Sequence, residues 1–124
     1  MITIDRAHEM LEQIAAEFPD AFFEDLNGGI SLLPGIKVSP HARGNDLYIL
    51  GEYRRDVMGR YIYIYFGSFE RMYGYLPEEA FYKQLRQTVA HEFTHHLESL
   101  AGERGLEQQD EEDLRDYLRQ WEQG

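Results

Sequence analysis

Cysteine is absent from this 124-residue chain, so there is no disulfide, no thiolate metal site and no cysteine nucleophile. Any bound metal must be held by histidine and carboxylate. The same absence leads us to expect a cytoplasmic protein. Positive charge is scarce: 12 Lys and Arg stand against 23 Asp and Glu, a formal net charge of -11. Such a surface repels phosphate backbones and anionic headgroups, so neither nucleic acid nor a membrane is an expected partner. Long hydrophobic runs are missing too, since no stretch approaches the roughly 18 to 20 apolar residues of a membrane-spanning helix. Met1 to Arg6 lacks a basic region followed by an apolar run, so no secretory signal is expected. What remains is ordinary for a folded protein, with 43% hydrophobic, 28% charged and 14% aromatic residues. A single domain over 1–124 is expected. Nothing in the residue pattern specifies an oligomeric state.

Ala7, Met10, Leu11, Ile14, Ala15 and Phe18 recur at helical spacing before Pro19, which predicts an amphipathic helix over about 5–18. A helical turn or two is expected over 21–26, ended by Asn27-Gly28-Gly29. Ile30 to Leu33 reads as a short strand before Pro34-Gly35. Residues 34–46 carry two prolines, two glycines, Asn45 and Asp46, and read as the longest loop. Leu47 to Tyr53 and Arg60 to Phe66 are β-branched and aromatic runs, suited to two antiparallel strands joined across 54–59. In the second run Ile62, Ile64 and Phe66 share a core-facing side. Tyr61, Tyr63 and Tyr65 share the other, either a half-buried sheet face or a groove for an extended peptide. A short helical turn is possible before Gly74. Pro77 with Glu78 and Glu79 starts a central helix whose apolar positions run from Phe81 through Leu85, Val89, Phe93 and Leu97 to Leu100, with Gly102 expected to end it. A terminal helix is expected over 107–123, with Leu114, Tyr117, Leu118 and Trp121 on one face.

Within the central helix stands His91-Glu92-Phe93-Thr94-His95, an H-E-x-x-H pattern. Residues four apart lie about 40° apart around a helix and about 6 Å along it, so both imidazoles can address one ion. Neutral imidazole binds Zn²⁺ through nitrogen at about 2.0 to 2.1 Å, and catalytic sites keep three protein ligands plus water. Glu92, beside the first histidine, has the reach of a general base toward that water. Histidines at this spacing also occur on exposed helix faces without a metal, but these two flank the apolar stripe of Val89, Phe93 and Leu97. His96 is about 100° further around the helix and reads as a surface residue or a support to the site. His8 and His41 are isolated in sequence and read as surface residues, although His41 lies on the long loop. For a third ligand, Glu98 points the wrong way, which leaves Glu103, Glu107 and Asp110 beyond Gly102. The run from Asp110 to Asp113 also suits the start of a terminal helix without any metal.

The chain resembles the small bacterial zincin-like metallopeptidases, or minimal zincins. The resemblance rests on the N-terminal amphipathic helix, the Leu47–Tyr53 and Arg60–Phe66 strand pair, and Thr88 to Leu97 with its doubled His95-His96. It implies an α+β zincin-like fold: a small mixed sheet packed on the HExxH active-site helix, with N- and C-terminal helices. It also implies an edge strand able to pair with an extended peptide, and zinc held by the two motif histidines with Glu92 as base. The chain departs from the family after His96, with Glu98 and Ala101 at the corresponding metzincin spacings and an apparent insertion from Glu98 to Gln109. The family's terminal acidic ligand then aligns with Asp110.

The expected function is therefore zinc-dependent peptide hydrolysis, with His91, His95 and Asp110 as ligands and Glu92 as general base. At this length an open, shallow groove is expected, with an oxyanion donor among Tyr61, Tyr63, Tyr65, Tyr73 and Tyr75. The alternative is a non-catalytic protein-binding module with structural zinc or none, in which Glu92 has no chemical task.

Overall fold

In the computed structural model, which describes residues 1–40 and 47–104, Thr3 begins the first helix: its Oγ1 accepts a hydrogen bond from the Arg6 amide at 3.1 Å. This helix, α1, spans Ile4–Glu17 and buries Ala7, Met10, Leu11 and Ile14. Pro19 stops it, and a 3₁₀ turn over Asp20–Phe23 drops Phe22 into the core. Three strands follow, β1 (Ile30–Leu33), β2 (Gly51–Asp56) and β3 (Gly59–Tyr65), then two helices, α2 (Phe66–Tyr73) and α3 (Glu78–Arg104). The sheet order is β1-β3-β2, with β1 parallel and β2 antiparallel to the central β3. The described residues form a small α+β arrangement of a three-stranded mixed sheet and three α-helices.

The core forms on one face of the sheet. Ile62 and Ile64 of β3 are fully buried, as are Val89 and Phe93 of α3, and Ile14 comes from α1. Phe93 is the aromatic hub, with ring centroids 5.0 Å from Phe18, 5.8 Å from Phe22 and 5.1 Å from Phe23. The tyrosines take the opposite face, Tyr61 against Tyr63 at 4.9 Å and Tyr63 against Tyr65 at 6.4 Å. Among the described residues, no helix is long and apolar enough to cross a membrane.

Three local expectations are corrected. The β2–β3 connection is two residues, Val57 and Met58, rather than the six of 54–59. Asp56 accepts a hydrogen bond from the Met58 amide at 2.8 Å, and Gly59 takes φ +114°, so the turn closes early and Arg54, Arg55 and Asp56 extend the strand. β2 also starts later than Leu47. The preceding chain makes an isolated bridge from Tyr48 to Val38, supported by the Ile49 amide donating to the Lys37 carbonyl at 2.8 Å. Finally, α3 does not stop at Gly102. One glycine costs a helix only about 1 kcal/mol, and the burial of Leu100 and Ala101 outweighs it. The terminal helix expected over 107–123 lies outside the described residues.

Candidate metal centre

α3 is amphipathic in two senses. Phe81, Leu85, Val89, Phe93 and Leu97 face the core, while Gln84, Gln87, Thr88, His91 and Glu92 line a cavity of about 470 Å³. The opposite wall is Tyr48, Ile49, Leu50 and Gly51, the extended chain that enters β2, and Tyr73 of α2 adds a further side. The cavity is open to solvent, as expected for so short a chain. β2 brings it an edge strand, since among the described residues β2 pairs within the sheet only with β3.

His91 and His95 are exposed on this side of α3. Their Nε2 atoms lie 3.2 Å apart and their rings are nearly perpendicular, at 84°. Two nitrogens each about 2.0 to 2.1 Å from a tetrahedral ion stand about 3.3 to 3.4 Å apart, so the pair fits a shared zinc ion. The same contact is also satisfied when one ring's Nε2–H donates to the other. Glu92, 5% exposed, lines the cavity beside His91.

Among the described residues no third His, Asp or Glu joins the pair in a metal-sized cluster. Asp110 and Glu107 lie outside the described residues, as does His41. Glu103 falls on α3 itself, eight residues past His95 and hence about 12 Å further along the axis.

His96 is not a surface residue: it is fully buried. Its Nε2–H donates to the Glu24 carbonyl at 2.8 Å, and its Nδ1 accepts from the Tyr53 hydroxyl at 2.9 Å. Burial pushes its pKa below the ordinary imidazole value, the Glu24 carbonyl acts in the opposite direction, and the Arg60 charge adds to the lowering. The imidazole therefore stays neutral and ties α3 to β2 and to the segment after the 3₁₀ turn.

Of the five tyrosines considered as oxyanion donors, only Tyr73 lines the cavity. Tyr61 and Tyr65 bond to Asp56 and Glu52 on the other sheet face, Tyr63 stacks between them, and Tyr75 is exposed. Tyr48, Gln84 and Gln87 were not foreseen as site residues. The signal for the glutamines is present in the sequence, because Gln84, Gln87, Thr88, His91 and Glu92 follow an i, i+3, i+4, i+7, i+8 pattern on the polar side of α3.

Fold and site together define a small α+β domain whose longest helix presents an H-E-x-x-H pair at an open cavity. No protein-family model and no curated protein matches the chain. A solved structure of a conserved hypothetical protein from Thermus thermophilus is similar to it at a TM-score of 0.70 and 32% sequence identity, covering 82% of this chain and 99% of that one. The chain belongs to the family of that conserved hypothetical protein.

Proposed function

We infer that the chain is a zincin-like zinc metallopeptidase that hydrolyses peptide bonds in an extended substrate laid along the outer edge of β2. The observation that carries this reading is the 3.2 Å separation of the His91 and His95 Nε2 atoms, with Glu92 between them in sequence and lining the adjoining cavity. His91 and His95 would hold the ion, with Asp110 as the third ligand. The chain length permits it: α3 rises about 14 Å from His95 to Arg104, and the six residues 105–110 can span up to about 20 Å.

Zinc in such a site supplies Lewis acidity, making water acidic enough to ionise near neutral pH and polarising the scissile carbonyl. Glu92 takes the proton of the attacking water and returns it to the leaving amine. Its burial keeps the carboxylate fixed on α3 and shielded from competing solvent. Among the tyrosines expected as oxyanion donors, Tyr73 is the one on the cavity and would meet the developing oxyanion. The edge of β2 offers main-chain groups to a substrate strand, the usual way an extended peptide is held without deep pockets.

The test is elemental analysis of protein purified without chelators or affinity metals, followed by a peptide-cleavage screen. About one zinc per chain, lost in His91→Ala and in Asp110→Ala, together with cleavage abolished in Glu92→Gln, is the expected result. No zinc after reconstitution overturns the reading and leaves a non-catalytic binding module.

A further inference from the structure

The cavity beside His91 contains polar side chains that the proposed hydrolysis does not use. Gln84, Gln87 and Tyr48 are each half-buried in its wall, and none of the three side chains has a hydrogen-bond partner among the described residues. Thr88, their neighbour, is different: its Oγ1 donates to the Gln84 carbonyl at 3.1 Å and its methyl faces Gly51. Half-buried amides and phenols without partners are costly unless something completes them. Water does so when the cavity is empty, and a ligand that displaces it must reproduce those bonds.

The chemistry of the wall restricts that ligand. Among the described residues that line the cavity, all but His91 and Glu92 are uncharged. A charged side chain entering here would be desolvated opposite amides that cannot neutralise it. Among the described lining residues a lysine could pair only with Glu92, which would take the base out of service. An aliphatic side chain would strand three donor–acceptor groups.

The placement along α3 adds a length. Gln87 lies one turn and Gln84 two turns before His91, about 6 and 10 Å along the axis. An extended peptide advances about 3.3 Å per residue, so about three residues cover that distance.

We propose that this cavity is a specificity subsite for an uncharged amide side chain, asparagine or glutamine, within three residues of the scissile bond, read by Gln84, Gln87 and Tyr48. The proposal rests on reading the site as a peptidase. Gln84 and Gln87 pair amide to amide with the substrate side chain, and the Tyr48 hydroxyl completes its remaining donor or acceptor.

The test uses a quenched-fluorescence library of extended peptides, each position fixed in turn as Gln, Asn, Glu, Lys or Leu, with the zinc-loaded full chain. Sites built to hydrogen-bond a substrate group reject analogues lacking it strongly, so at least about a tenfold preference for Gln or Asn over Glu, Lys and Leu is expected at one position. Gln84→Leu/Gln87→Leu should reduce that preference below about threefold, and Gln87→Glu should move it toward Lys. In parallel, the same peptides are titrated against the Glu92→Gln chain by fluorescence polarisation, which needs no turnover. Amide preference in binding with no cleavage by the wild-type chain upholds the subsite and overturns the peptidase reading. Cleavage or binding indifferent to the fixed residue, a preference for charge, or a preference unchanged in both glutamine variants overturns the subsite.

Discussion

Gly51 and Thr88 set how closely β2 approaches α3. A Cβ added at Gly51 would stand 3.0 Å from Thr88 Cγ2, 3.1 Å from Ile64 Cδ1 and 3.3 Å from the Tyr63 carbonyl oxygen. A side chain there requires these neighbours to give by a few tenths of an ångström, and both residues line the cavity. Gly51→Val is expected to cost about 1–3 kcal/mol of stability through overpacking. Gly51→Ala should cost less, and part of its loss should return in Gly51→Ala/Thr88→Ser, which removes the crowding methyl but keeps the hydroxyl bonded to the Gln84 carbonyl. A double-mutant cycle from urea denaturation measures the coupling, expected at about 0.5 kcal/mol or more.

His96→Leu should be among the most damaging single changes outside the hydrophobic core. It leaves the Tyr53 hydroxyl and the Glu24 carbonyl without their imidazole partner, at an expected cost of about 2–4 kcal/mol. Tyr53→Phe removes one of the two bonds and should cost about 1 kcal/mol. Zinc binding by His96→Asn, measured on whatever fraction folds, should equal that of the wild type, because His96 faces away from the His91–His95 pair.

On the proposed peptidase reading, Glu92→Gln and Tyr73→Phe separate two chemical tasks. Glu92→Gln should lower kcat by about 10²- to 10⁴-fold while leaving the zinc content unchanged. Tyr73→Phe, which loses a hydroxyl needed only as the oxyanion forms, should lower kcat by about 10²-fold with little change in KM. Single-substrate kinetics on the zinc-loaded variants make the comparison.

The tyrosine face of the sheet carries a pH dependence at both extremes. Burial raises the Glu52 pKa, but hydrogen bonds from Lys37, at 2.6 Å, and from Tyr65 outweigh it and leave the carboxyl below its ordinary value. Burial and the Glu52 bond together raise Tyr65 to about 12. A depressed carboxyl stabilises the fold above its unfolded pKa of about 4.3, and that contribution is lost as pH falls below it. A raised phenol stabilises it below about pH 10, and its contribution is lost as pH climbs from there toward 12. Thermal melts across pH should show a shallower acid decline in Glu52→Gln and a shallower alkaline decline in Tyr65→Phe.

Much of this was legible in the residues. The α1 periodicity placed its helix within a residue at each end, and β1 coincides with the expected Ile30–Leu33. The alternation of Ile62 and Ile64 with the tyrosines gave the buried side of β3. What local pattern missed depended on distant partners. Leu47 to Ile49 looks like strand, yet it pairs around Val38, with a bridge from Tyr48, rather than with β3. Of the two expectations for His96, the surface one fails for a different reason: three residues after Phe93 and four before Leu100, it sits on the core stripe. Gln84 and Gln87 show helical periodicity as plainly as His91 does, but polar residues on a helix ordinarily face water, and only the wall opposite turns them into a site.

One helix serves as both keystone and workbench. Val89, Phe93 and Leu97 anchor one side of α3 in the core, and His91, Glu92 and His95 occupy the same three turns on the other. Opening the site's helix would also open the core among the described residues. Amide protons at 89–97 should therefore exchange only through whole-molecule opening. Heat inactivation and unfolding should then follow a single time course, so a variant that loosens the core would mimic a chemical defect unless its fold is measured alongside its turnover.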